Sequence, residues 1–271
     1  MIKDITIGQF FPGDSFVHKL DPRMKLVLTF IYIVAIFLCQ NFFSVGLVFA
    51  LTVLCVLLSR ISPRVILKGM KMIFFIILFT SVLQIFYNKT GTTWLDAKYF
   101  QITSGGVFTA LFVVIRIISL ILFSSLLTYT TSPTLLTDAI ERLFSFLKIF
   151  KIRVHTLAMI MTIALRFIPT LIEEIDKIMS AQKARGADLE SGGVIKRAKA
   201  LIPIFIPLFV NAFRRAYDLA LAMECRCYRG SEGRTRMRQM HLAFRDYFAL
   251  AVTVCVVAAI VFFNIQFGSV L

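Results

Sequence analysis
Residues 106–129, GVFTALFVVIRIISLILFSSLLTY, form an apolar run carrying a single charge, Arg116. Such a run has few ways to fold. A bilayer offers backbone amides no partner, so a chain crosses it as a helix of about 20 mainly apolar residues. Four more runs fit that description, at 25–40, 43–58, 70–87 and 247–267. Only 17% of the residues are charged, against about 25% in soluble domains. The chain is therefore expected to be an all-α integral membrane protein with about five transmembrane helices.

The charges predict its orientation. The net charge is +15, from 30 Lys and Arg against 15 Asp and Glu. In a soluble protein that balance suggests nucleic acid. In an apolar chain it fits the excess of basic residues in cytoplasmic loops, with the lipid bilayer as partner and no nucleic acid. Residues 130–246 hold 19 of the basic residues and 11 of the acids. The 59–69 link is basic with no acid, whereas the 88–105 link is nearly neutral and contains Trp94, an expected interface anchor. The expected plan is an N-terminal segment with four spans over 1–130, a cytoplasmic region over 131–246, and a last span over 247–271. The N-terminus then lies in the cytoplasm. The opening residues are polar and contain two prolines, so no signal peptide is expected. Cys39, Cys55 and Cys255 fall in apolar runs, whereas Cys225 and Cys227 lie in the basic region and are expected to be reduced.

Two segments of the basic region have helical periodicity. Over 155–184 the apolar residues Met161, Leu165, Ile168, Ile172, Ile175 and Met179 recur at steps of 4, 3, 4, 3, 4. Over 203–226 the same steps connect Phe205, Phe209, Ala212, Ala216, Leu219 and Met223. Charged residues occupy the other faces, which predicts long amphipathic helices, packed on each other, rather than spans. Pro169 is expected to kink the first. Pro203 and Pro207 fit either a first turn or a kink.

Each helix ends in a similar way, AQKARGAD at 181–188 and AMECRCYRG at 222–230. Arg185 and Arg226 each follow an alanine by four residues. Gly186 suits the left-handed position that closes a helix. An arginine there has two readings: it caps the last carbonyls of its own helix, or it projects as a directional grip on a partner. In the second motif Cys227 stands where the first has glycine, and Arg229-Gly230 supplies a second Arg-Gly pair.

These motifs resemble the paired X-Arg-Gly signatures of the transmembrane T component of energy-coupling factor (ECF) transporters. The stretch GQFFPGDSFVHKLDPRMK and the tail GSEGRTRM are similar to that family's sequences as well. The likeness covers nearly the whole chain and is greatest to the shared vitamin-uptake type. It implies a coupling scaffold in a prokaryotic cell membrane, joining two ATP-binding cassette ATPases to a small S component that binds a vitamin or other micronutrient. The ATPase-docking residues implied are Ala184, Arg185 and Gly186, then Cys225, Arg226, Cys227, Arg229 and Gly230. The two periodic helices become coupling levers that pass ATP-driven motion to the S component. ATP and Mg would sit on the partner subunits, with no cofactor or metal in this chain.

Other chemistry has little support in the sequence. No G-x-x-x-x-G-K-[ST] loop occurs. The three histidines, at 18, 155 and 241, are scattered. Cys225-x-Cys227 lacks a second pair of ligands. A membrane enzyme acting on lipid-linked substrates would need a dense acidic cluster. Glu173, Glu174 and Asp176 are the nearest to one, and in a helix they fit a polar face. A secondary transporter would show ionisable residues in several spans, and Arg116 alone qualifies. That arginine is expected either to contact another helix or the S component, or to snorkel to a headgroup.

Overall fold
A computed structural model describes residues 10–88, 92–97, 100–187, 193–230 and 239–267. The described chain is almost entirely helical: α1 (Pro22–Leu38), α2 (Phe42–Ser59), α3 (Pro63–Tyr87), α4 (Ser104–Thr130), α5 (Pro133–Leu143), α6 (Val154–Ala184), α7 (Val194–Cys225) and α8 (Phe244–Phe267). A short 3-10 turn, Phe144–Phe150, follows α5. An antiparallel hairpin of β1 (Thr93–Ala97) and β2 (Phe100–Thr103) joins α3 to α4. Trp94 belongs to β1. The hairpin and α5 were not anticipated, because each is too short to carry a clear period.

The described chain divides into two compact units, one built on residues 10–139 and 239–267, the other on residues from 140 to 230. In the first unit α1, α2, α4 and α8 surround a core of Tyr32, Ile36, Val45, Val48, Phe112 and Ile260. The Tyr32 ring stacks on Phe123 with centroids 3.7 Å apart. Its hydroxyl lies 3.2 Å from the Val48 carbonyl and also bonds Thr52, so the phenol oxygen is satisfied among the apolar side chains. The α3–α4 contact depends on a small residue. A Cβ on Gly106 would lie 2.9 Å from the carbonyl oxygens of Ile85 and Asn88. Thr103 closes the same corner, accepting from the Gly106 amide at 3.2 Å and donating to Asn88 O at 2.8 Å.

Among the described residues, five helices are long and apolar enough to cross a membrane: α2, α4, α6, the 199–225 part of α7, and α8. A sixth is α3 if its halves, Pro63–Lys71 and Ile73–Tyr87, bent by 60°, count as one span. The count agrees with the five expected from sequence, but the membership differs. Helix α1 has 17 residues. Helices α6 and α7, expected to be amphipathic and not spanning, pass on length and composition with mean hydropathies of 1.6 and 1.2. Those values are well below the 2.5, 2.5 and 2.7 of α2, α4 and α8. Their apolar residues are numerous but gathered to one side, which the average does not register.

Candidate functional site
Within the second unit α6 and α7 form an antiparallel pair. Contacts at three levels define it: Tyr228 Oη with Met159 Sδ at 3.1 Å, Arg215 Nη2 with Glu174 Oε2 at 3.1 Å, and Gln182 Nε2 with Pro203 O at 3.4 Å. Asn211 also donates to Glu174. Glu174 thus faces the neighbouring helix while Glu173 is exposed. The acids at 173, 174 and 176 do not form one polar face, and no metal-binding group of side chains occurs among the described residues.

The two apolar stripes are unequally covered. On α6, Leu165, Ile168, Ile172, Ile175 and Met179 are half-buried, and Met161 is exposed. On α7, Ala212, Leu219 and Met223 are half-buried, but Phe205, Phe209 and Ala216 are exposed. Helix α6 continues through Pro169. Helix α7 starts at Val194, so Pro203 and Pro207 are interior residues and the first-turn reading is corrected. The polar 193–200 stretch hid that start, because the apolar period begins only at 203.

Both helices end in the same backbone motif. At α6 the Gly186 amide donates to Lys183 O at 3.0 Å and the Ala187 amide to Gln182 O at 3.0 Å. At α7 the Cys227 amide donates to Glu224 O at 2.8 Å and the Tyr228 amide to Met223 O at 3.0 Å. Gly186 and Cys227 take the left-handed conformation, with φ of 83° and 56°. This is the Schellman closure, in which the backbone itself satisfies the last carbonyls. It puts Arg185 and Arg226 at the same position, the last before the left-handed residue. Arg229 lies beyond the closure, although Gly230 also has a positive φ of 91°.

Both arginines are exposed, and among the described residues neither side chain makes a hydrogen bond or an ion pair. The helix ends are therefore closed without the guanidinium groups. Ala184, Cys225, Cys227 and Arg229 are exposed beside them, and Gly230 is half-buried. Because the helices are antiparallel, the ends point in opposite directions. Tyr228 sits level with Met159, and Arg185 lies about 25 residues further along α6, roughly 35–40 Å away at 1.5 Å per residue. Asp188, residues 231–237 of the tail GSEGRTRM, and the first residues of the opening stretch lie outside the described residues.

Arg116 does not stand alone in a span. Its Nη2 donates to the carbonyl of Cys39, the residue that ends α1, and its guanidinium lies 4.6 Å from the centre of the Phe112 ring. The contact with another helix is thus made inside this chain, at the negative end of a helix dipole. A charge that looked central in α4 is level with the turn between α1 and α2.

The sequence reading missed a buried polar knot in the first unit. Asp246 accepts from the Asp21 amide and from the Ala243 amide, each at 2.8 Å. Asp21 caps α1 at the Arg23 amide and pairs with the Arg23 guanidinium at 2.9 Å, and that group also donates to Met240 O. Lys25 Nζ donates to His18 O, Thr130 O and Thr131 Oγ1. This ties the starts of α1 and α8 to the end of α4. The Asp-Pro-Arg capping pattern at 21–23 was the available signal, but its partner Asp246 is far away in sequence. Two of the three histidines are structural too: His18 bonds Ser15 and Phe11 O, and His155 bonds Glu141.

The long apolar helices define a multi-span membrane protein, and comparison with known proteins gives its family. Residues 13–237 match the family model CbiQ, described as cobalt transport protein. The chain is 51% identical over 254 residues to the energy-coupling factor transporter transmembrane protein EcfT of Ruminiclostridium cellulolyticum, covering 94% of this chain and 95% of that protein. It is 48% identical to EcfT of Clostridium kluyveri, covering 99% and 100%, and 44% identical to EcfT of Bacillus subtilis, covering 97% and 99%. The chain belongs to this family of energy-coupling factor transporter transmembrane components.

Proposed function
We propose that this chain is the coupling subunit of an importer, transmitting ATP-driven motion of two cytoplasmic ATPase subunits to a membrane S component that carries a vitamin or other micronutrient. One observation carries the reading: two exposed arginines, on identically closed helix ends, at opposite ends of one antiparallel lever pair. Each arginine is free to bond a groove on a separate ATPase, and a movement of either ATPase is transmitted along a helix. Arg226 serves the second end in this reading, and Arg229 is secondary. ATP and Mg belong to the partner subunits, and this chain is non-catalytic. The basic 140–238 unit, with the N-terminus, lies on the cytoplasmic side of a prokaryotic cell membrane.

The test is affinity purification of the tagged chain from mildly solubilised native membranes. Two different P-loop ATPases and at least one small hydrophobic protein are expected to come with it. A stable chain that purifies alone, with an activity of its own, overturns the proposal.

A further inference from the structure
The helices that pack tightly around Ile36 and Ile260 separate at their other end, leaving an apolar crevice of about 260 Å³. Its walls include Leu28 of α1, Leu54 and Leu58 of α2, Phe123 of α4, and Phe248 and Val252 of α8. Four polar side chains also reach it, and all are already engaged. Lys25 is held by two carbonyls and Thr131, while Thr29, Thr130 and Thr253 donate to Lys25 O, Leu126 O and Ala249 O. The crevice can therefore select only for apolar shape. An apolar cavity of about 150 Å³ already takes up a small hydrocarbon.

A second pocket, of about 290 Å³, lies along the same segments and has a mixed lining, more polar than the crevice. Their linings come from adjacent residues of the same segments. Phe16 and Val17 line the crevice while Ser15 and His18 line the pocket, and Leu58 lines the crevice while Ser59 and Arg60 line the pocket. Polarity thus changes over one or two residues, as it does along an amphiphile. Arg60, at the pocket, is exposed, and so are Arg64, Lys68 and Lys71 on the first half of α3. No acid lies between 59 and 71. The one acid in the pocket lining, Asp14, has its side chain 99% exposed and 4.0 Å from Lys19. The bend in α3 sets the basic half at 60° to the apolar half.

We propose that the two pockets are one binding site for a single anionic phospholipid, with an acyl chain in the crevice and the phosphate at Arg60. Charge complementarity and the adjacent linings favour this occupant. A partner's apolar side chain would fill the crevice but leave the basic row unmatched. Bound there, the lipid completes the packing of α1, α2 and α8 at the end where Asp21 and Asp246 join α1 to α8.

The test uses the chain with whatever subunits it retains, in nanodiscs of phosphatidylglycerol or phosphatidylcholine. Lipid retained after extraction is counted by native mass spectrometry. The wild type is expected to keep one phosphatidylglycerol and to prefer it over phosphatidylcholine. Arg60→Asn, which still accepts the left-handed backbone (φ of 54°), should cut that preference by about fivefold, the effect of one basic residue near an anionic surface. Cys55→Phe, which fills the crevice, should reduce retention of both lipids, while Cys55→Ser retains them. Should Cys55→Phe fail to fold, benzoylphenylalanine in place of Leu54 reports the occupant directly, and a cross-link to lipid is expected. Equal retention of the two lipids by the wild type, displacement by inorganic phosphate alone, or a cross-link from position 54 to protein would each overturn the proposal.

Discussion
The ends of α6 and α7 have the same backbone hydrogen bonds but not the same residue at the left-handed position, Gly186 in one and Cys227 in the other. A residue with a Cβ in that conformation costs about 1–2 kcal/mol, which glycine avoids. The α7 closure thus forms in spite of its sequence, held by two backbone bonds of 2.8 and 3.0 Å. An Arg-Gly pattern is therefore a shorthand for a geometry. What aligns Arg226 with Arg185 is its place before the left-handed residue of the helix closure, whichever residue that is.

The largest effect should come from reversing the charge at these two positions. Arg185→Glu and Arg226→Glu should each weaken ATPase docking by about 2–5 kcal/mol, the range for disrupting a buried interfacial charge pair. Membrane insertion should be unchanged. Arg229→Glu should do much less, because Arg229 lies beyond the closure. Quantitative co-purification of the ATPases with each variant checks all three. An Arg229 effect equal to that of Arg226 would break the equivalence drawn from the backbone, and unchanged docking in Arg185→Glu would return that arginine to a role at its own helix end.

Much of this arrangement was legible in sequence. Long apolar runs gave α2, α4 and α8 to within a few residues, since a bilayer leaves such runs no alternative to a helix. The steps of four and three gave α6 and most of α7. Average composition was less informative there, because a helix with one apolar side and a spanning helix can have similar means. The antiparallel pairing of α6 and α7 was not legible. It depends on Glu174 meeting Arg215 and on Tyr228 meeting Met159, and no local pattern encodes either contact. Nor was the link from Asp21 to Asp246, which crosses 225 residues of sequence. Nor was it legible which of Arg226 and Arg229 stands at the helix end: the sequence shows a glycine after Arg229 but not the turn in which the helix closes.

Exchanging the left-handed residues would sharpen the comparison. Gly186→Ala should destabilise the end of α6 by about 1–2 kcal/mol, seen as faster hydrogen exchange at the amides of residues 186 and 187. Cys227→Gly should act in the opposite sense at α7, slowing exchange at the amides of 227 and 228. The gain should be about 1 kcal/mol, since glycine's freer unfolded chain offsets part of the relief. If Cys227→Gly loosens that end, the thiol has a stabilising role that the closure does not explain.

The smallest effect concerns the middle of the lever pair. Arg215 is 44% exposed on its side chain and Glu174 14%, so water screens much of their attraction at 3.1 Å. Arg215→Met keeps a long side chain but removes the charge, and Asn211 still donates to the Glu174 carboxylate. The cost should be under about 1 kcal/mol by thermal unfolding, and transport should change little. Asn211→Leu in the same background should cost more than it does alone, because Glu174 would then be left partly buried with neither donor. Additive losses would mean that the carboxylate turns to water when either donor is removed. The two helices would then be held together by their apolar stripes, and the ends carrying Arg185 and Arg226 would move as one body whatever the polar contacts between them.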